Sequence, residues 1–117
     1  LYFYPKDNTP GCTTQACNLR DNYSELLKNG YAVVGVSPDD ENSHLKFSNK
    51  FELPFPIIPD PDKKILEKYG VWGEKQLYGR KFMGVHRTTF LIENGKIKHV
   101  IKRPKTAFHA QEIMEKF

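Results

Sequence analysis

The chain has 117 residues, of which 38% are hydrophobic and 27% charged, with a formal net charge of +4. Residues 1–117 make one domain, large enough for a single hydrophobic core. A membrane span is excluded, because no apolar run approaches the roughly 18 residues that a bilayer requires. Nucleic-acid binding is disfavoured, because the lysines are scattered among acids rather than clustered with aromatics.

The chain opens on Leu1-Tyr2-Phe3-Tyr4, without an initiator Met. So abrupt an apolar start reads as a strand cut in its middle, and the chain is expected to be a fragment lacking N-terminal elements. The opening has neither the basic leader nor the long apolar run of a signal peptide. A cytoplasmic location is the expectation, any upstream targeting signal lying outside the chain.

LYFY ends a buried strand, and Pro5 with the polar run to Gly11 stops it. A helix is predicted from Gly11 or Cys12 to Asn29. Its inward face would carry Ala16, Leu19, Tyr23, Leu26 and Leu27 at helical spacing. Thr9 or a neighbour can cap it, and Gly30 can stop it. YAVVGVS, residues 31–37, reads as a buried strand. Pro38-Asp39-Asp40 opens a second helix, about 41–51, with Leu45 and Phe47 inward. FPII, residues 55–58, is another short strand. A third helix starts at residues 59–62 and ends near Tyr69-Gly70. Residues 71–86 show no clean period and predict an extended surface loop. RTTFLIE and KIKHVIK flank Asn94-Gly95, a strong hairpin signal. A last helix runs from Ala107 to Phe117. Strands and helices alternate early, and a hairpin comes late. This order predicts an α/β fold, a mixed central sheet with helices on both faces, of thioredoxin-like topology. Ligands of such sheets bind at the carboxyl ends of the strands. The loop after LYFY lies there.

That loop carries the chemistry. Cys12 follows Thr-Pro-Gly at a loop-to-helix turn, not inside an apolar run. A helix N-terminus supplies unpaired N–H groups and a positive dipole end, both of which favour a thiolate. The placement points to a reactive thiol rather than an inert buried one. Cys17 lies five residues on. In an ideal helix the two Cα atoms would stand roughly 8–9 Å apart. A disulfide needs Cα atoms closer than about 7 Å. The pair therefore cannot bond until the helix locally unwinds. Cys17 reads as a redox partner, the alternative being a small buried helix residue. No metal site is expected. The chain has no Cys-x-x-Cys, and His44, His86, His99 and His109 are dispersed.

FYPKDNTPGCTTQAC places Pro5, Thr9 and Cys12 as Pro-x-x-x-Thr-x-x-Cys, and this resembles the peroxiredoxin motif. The second cysteine, YGVWGEK (69–75) and GVHRTTFLIENGKI (84–97) narrow the resemblance. They point to the bacterioferritin comigratory protein/peroxiredoxin Q subfamily. The resemblance runs the length of the chain and departs at its start, where the family has further strands. It implies a peroxidase that reduces hydrogen peroxide and organic hydroperoxides without a cofactor, in antioxidant defence. On that resemblance Cys12 is the peroxidatic cysteine. Thr9 hydrogen-bonds the peroxide, Pro5 shields the thiolate from water, and Arg87 is the cation of the site. Cys17 would resolve the oxidised Cys12 as an intramolecular disulfide, which thioredoxin or a similar dithiol would reduce. Since both cysteines lie in one chain, a monomer suffices. Arg20 reads as a helix-face charge. Two other readings compete. A thioredoxin-like disulfide oxidoreductase would need Cys-x-x-Cys and a proline where His86-Arg87-Thr88 stands. A non-catalytic thiol protein would use the cysteines only as a binding switch.

Overall fold

The computed structural model describes residues 1–116, so Phe117, the expected end of the last helix, lies outside the described residues. Five strands form one sheet: β1 (Tyr2–Phe3), β2 (Gly35–Ser37), β3 (Ile57–Pro59), β6 (Thr88–Glu93) and β7 (Lys96–Lys102). A separate hairpin pairs β4 (Trp72–Leu77) with β5 (Arg80–Val85). The sheet order is β3-β2-β1-β6-β7, with β1 at its centre. The β1–β2 and β2–β3 pairs are parallel, while β1–β6 and β6–β7 are antiparallel. The mixed sheet is the one the element order predicts. The helices are α1 (Pro10–Asp21), α2 (Tyr23–Lys28), α3 (Glu41–Phe51), α4 (Lys64–Lys68) and α5 (His109–Met114).

Side chains alternate across a strand, and this alternation builds two cores. Tyr2 and Tyr4 join Ala16, Leu19, Leu26, Phe47 and Phe55 on one face. Phe3 joins Val36, Leu66, Val71, Val85 and Phe90 on the other. β2 passes close to its neighbours at Gly35. A Cβ there would come within 2.9 Å of Ile57 Cγ2 and 3.0 Å of the Tyr2 ring.

Several expectations need correction. The single helix to Asn29 is two helices, broken at Asn22. The Asn22 side chain donates to the Asn18 carbonyl at 2.8 Å, a local bond that competes with helix continuation. Leu27 and Leu45 point outward, 52% and 59% exposed. In α3 the buried residues are His44 and Phe47, so a histidine takes the place expected for a leucine. The strand expected over 31–37 is regular only from Gly35 to Ser37. The third helix starts at Lys64, later than residues 59–62 suggest. The last begins with a short 3₁₀ turn, Thr106–Phe108. Residues 71–86, expected as a loop, hold the β4–β5 hairpin. Its turn places Tyr78 at φ 52° and Gly79 at φ 77°. The Asn94–Gly95 turn has the same conformation, at φ 54° and 76°.

Candidate active site

The loop from Pro5 to Thr9 leaves the carboxyl end of β1 and delivers the chain into α1. Thr9 occupies the N-cap position in an extended conformation, with Pro10 as the first helical residue. Proline suits that position, where its fixed φ is helical and no N–H is needed. The first helical bond runs from the Thr13 N–H to the Thr9 carbonyl at 2.8 Å. The amides of Gly11 and Cys12 therefore precede the helical ladder and lie at the positive end of the helix dipole.

Cys12 is 2% exposed, and its thiol is free. Arg87 reaches it from the short link between β5 and β6. Arg87 Nη2 donates to Cys12 Sγ at 3.3 Å, and Nη1 donates to Gln15 Oε1 at 2.5 Å. The contact sets a full positive charge directly against the sulfur. Gln15 is fully buried, and its Nε2 has no hydrogen-bond partner among the described residues. As a neutral acceptor it orients the guanidinium without cancelling its charge. Gly11 makes room for the approach, since a Cβ there would lie 3.3 Å from Arg87 Nη2.

The remaining expected site residues surround this pair with fewer direct contacts. The Thr9 hydroxyl donates to the Lys6 carbonyl at 2.8 Å, so it neither caps α1 nor bonds the sulfur. Pro5 is half-buried at the head of the loop. Cys17 is half-buried and free, one and a half turns along the intact α1 from Cys12. Arg20 is turned to other work: it donates to Asp21 at 2.9 Å and to the Phe51 carbonyl at 2.8 Å.

Gln15 was legible in principle, because three residues after Cys12 is the same helical face. A second group gives no such signal. Asp7, Asp39 and His44 bring one ligand-type atom each within 4.8 Å of one another. His44 Nδ1 meets Asp7 Oδ2 at 2.6 Å, with both side chains buried. Burial alone would raise the Asp7 carboxyl, but hydrogen bonds from His44, Tyr4 and Ser43 outweigh it and hold the group below the usual aspartate range. Burial likewise pushes the His44 imidazolium toward deprotonation, and the bond to Asp7 and its charge more than reverse this. His44 Nε2 lacks a well-formed hydrogen bond, although the Ile58 carbonyl is close enough to favour its proton. The elements fall at residues 7, 39 and 44, a spacing that no motif announces.

A buried thiol, a guanidinium in contact with it and unpaired amides at a helix start form a site for attack by sulfur on a polarised bond. The AhpC/TSA family model matches residues 1–100. The chain belongs to the AhpC/TSA family. It is 49% identical over 116 residues to the putative peroxiredoxin bcp of Haemophilus influenzae, covering 98% of this chain and 75% of that one. It is 46% identical over 115 residues to peroxiredoxin Bcp of Escherichia coli (strain K12), covering 97% and 74%. Among solved structures, the Xanthomonas campestris bacterioferritin comigratory protein superposes with a TM-score of 0.90 at 36% identity, over 98% of this chain and 74% of that one. The fold is therefore the thioredoxin-like fold of peroxiredoxins, and the protein is a thiol peroxidase, an oxidoreductase that acts on peroxides. The family also implies a thioredoxin-type reductant. A disulfide oxidoreductase and a purely non-catalytic switch both give way to this assignment. No helix among the described residues is long and apolar enough to cross a membrane.

Proposed function

We propose that residues 1–117 act as one peroxidase domain in which Cys12 attacks hydrogen peroxide or an organic hydroperoxide. The observation that carries the reading is the 3.3 Å contact of Arg87 with the Cys12 sulfur at the start of α1. The Cys12 thiolate attacks one peroxide oxygen in line with the O–O bond. That bond breaks, its electron pair leaves with the distal oxygen, and a proton completes water or an alcohol. Arg87, the Thr9 hydroxyl after rotation, and the Gly11 and Cys12 amides are suited to stabilise the charge on the departing oxygen. Pro5 shields the sulfur from water. Sulfur itself carries the two electrons, so no cofactor takes part.

The product is a Cys12 sulfenic acid, the first step of thiol oxidation. The Cys17 thiolate attacks its sulfur and expels water after proton uptake, leaving an intramolecular disulfide. Thioredoxin or a similar dithiol then reduces that bond by exchange. The cycle needs one chain only, so the working form is a monomer, and it suits the reducing cytoplasm. Neither nucleic acid nor a membrane is a partner.

Mixing reduced protein with one equivalent of peroxide in stopped flow and following thiol loss tests the reading. Loss faster than that of free cysteine is expected; loss at the rate of free cysteine would sink it. Arg87→Ala should lower the second-order rate constant by about 10²–10³-fold, as removal of one preorganised donor does. An unchanged rate constant would remove Arg87 from the mechanism.

A further inference from the structure

We propose that Asp7 and His44 are positioning residues for the peroxidatic loop, their buried pair holding Pro5 and Thr9 in the geometry in which Cys12 meets a peroxide. The inference rests on the assignment of Cys12, Thr9 and Pro5 made above.

Asp7 lies between Pro5 and Thr9, 6% exposed. Its carboxylate accepts three hydrogen bonds from two different elements. Tyr4, at the end of β1, donates its hydroxyl to Oδ1 at 2.6 Å. From α3, Ser43 Oγ donates to Oδ2 at 2.8 Å, and His44 Nδ1 meets the same oxygen at 2.6 Å. The Asp7 backbone N–H is also held, by Asp39 Oδ2 at 2.8 Å. Asp39 is fixed in turn by the Ser37 hydroxyl at 2.7 Å, at the end of β2. One loop residue is thus gripped by β1, α3 and the β2–α3 turn together.

The rest of the loop has weaker moorings. Among the described residues the Thr9 hydroxyl bonds only to Lys6 within the same loop, which shapes the loop without attaching it to the body. Asn8 meets Lys50 at 3.2 Å in an exposed contact. Asn8 also has φ 59°, a left-handed conformation that turns the chain from Asp7 directly into Thr9. Any rotation at Asp7 is therefore passed to the N-cap residue and to the sulfur three residues beyond it.

A buried ion pair is a weak source of net stability, since desolvation offsets most of its attraction. Apolar residues of the same size would fill the space equally well. What they would lack is direction: three donors converging on one carboxylate fix both position and rotation. The pair is accordingly assigned to geometry, and reaction with peroxide is the property most exposed to it. Peroxide needs Thr9, Pro5 and Arg87 placed around the sulfur, whereas alkylation needs only an accessible thiolate.

The test compares His44→Leu with His44→Asn. An asparagine amide nitrogen falls where His Nδ1 lies and keeps a donor toward Asp7. His44→Leu is expected to slow reduction of hydrogen peroxide about tenfold or more, in line with the cost of small misplacements at a reacting centre. Alkylation of Cys12 by iodoacetamide at alkaline pH should stay at the wild-type rate. His44→Asn should recover most of the peroxide rate. An unchanged peroxide rate in His44→Leu would overturn the inference. So would equal loss in both variants tracking lowered thermal midpoints, which marks a structural role alone. Asp7→Asn, nearly isosteric but with an NH₂ in place of one acceptor oxygen, gives a second measurement if His44→Leu does not fold. The same peroxide-selective loss supports the inference, and a wild-type rate overturns it. Wild-type protein slower than or equal to free cysteine would instead refute the assignment of Cys12 itself.

Discussion

Cys12→Ser is expected to bring peroxide reduction to background. A serine hydroxyl stays protonated at neutral pH, and oxygen is a poor nucleophile toward another oxygen. The site offers no substitute: Cys17 is half-buried, with Arg87 turned toward the other thiol. Removing a catalytic nucleophile costs on the order of 10⁶ in turnover where it has been measured, so the loss should be complete within assay limits. The replacement is nearly isosteric in a packed position, and the fold should be retained. Circular dichroism and a count of one remaining thiol would establish that. Turnover retained in this variant would transfer the attacking role to Cys17.

Cys17→Ser should behave differently at each stage of the cycle. Cys12, Arg87 and the start of α1 are untouched, so the first turnover should keep its wild-type rate. Each chain then consumes one equivalent of peroxide and stops, because the sulfenic acid has no thiol to condense with. Thioredoxin-coupled turnover should fall to background, while a sulfenic-acid trap labels Cys12. Excess peroxide should carry the stranded sulfur on to sulfinic acid, visible as a mass increase of two oxygens. Normal recycling by thioredoxin would remove Cys17 from the resolving role.

The helix start that carries Cys12 was legible from residue order, because Thr-Pro-Gly-Cys announces it. Arg87 was legible only through family resemblance, for nothing local says that a residue 75 positions away reaches the same sulfur. Asp7 and His44 stayed invisible for a related reason, since their pairing exists only when β1 and α3 pack. In the fold, period-2 patterning failed where burial is weak. The β4–β5 hairpin exposes most of its second strand, so charge and polarity blur any alternation, and its turn uses Tyr78 where Asn would have signalled a left-handed residue. The β6–β7 hairpin, with Asn94-Gly95 and a buried face, had both signals. Leu27 and Leu45 show the converse limit: helical spacing marks a face, but the neighbouring elements decide which residues at its margin are covered.

Asn18 stands immediately after Cys17, and its side chain holds the C-terminal segment at two points. Nδ2 donates to the Ala107 carbonyl at 3.0 Å, and Oδ1 accepts from the Ala110 N–H at 2.8 Å. Unwinding α1 around Cys17 to bring the thiols together breaks this clamp along with the packing of Leu19. In the proposed cycle the free energy so lost would be carried by the oxidised form and would weigh against the disulfide. Each 1.4 kcal/mol lost raises the reduction potential by about 30 mV. The folded helix would thereby make the proposed disulfide a better electron acceptor for an incoming dithiol, and Asn18→Ala should make it harder to reduce.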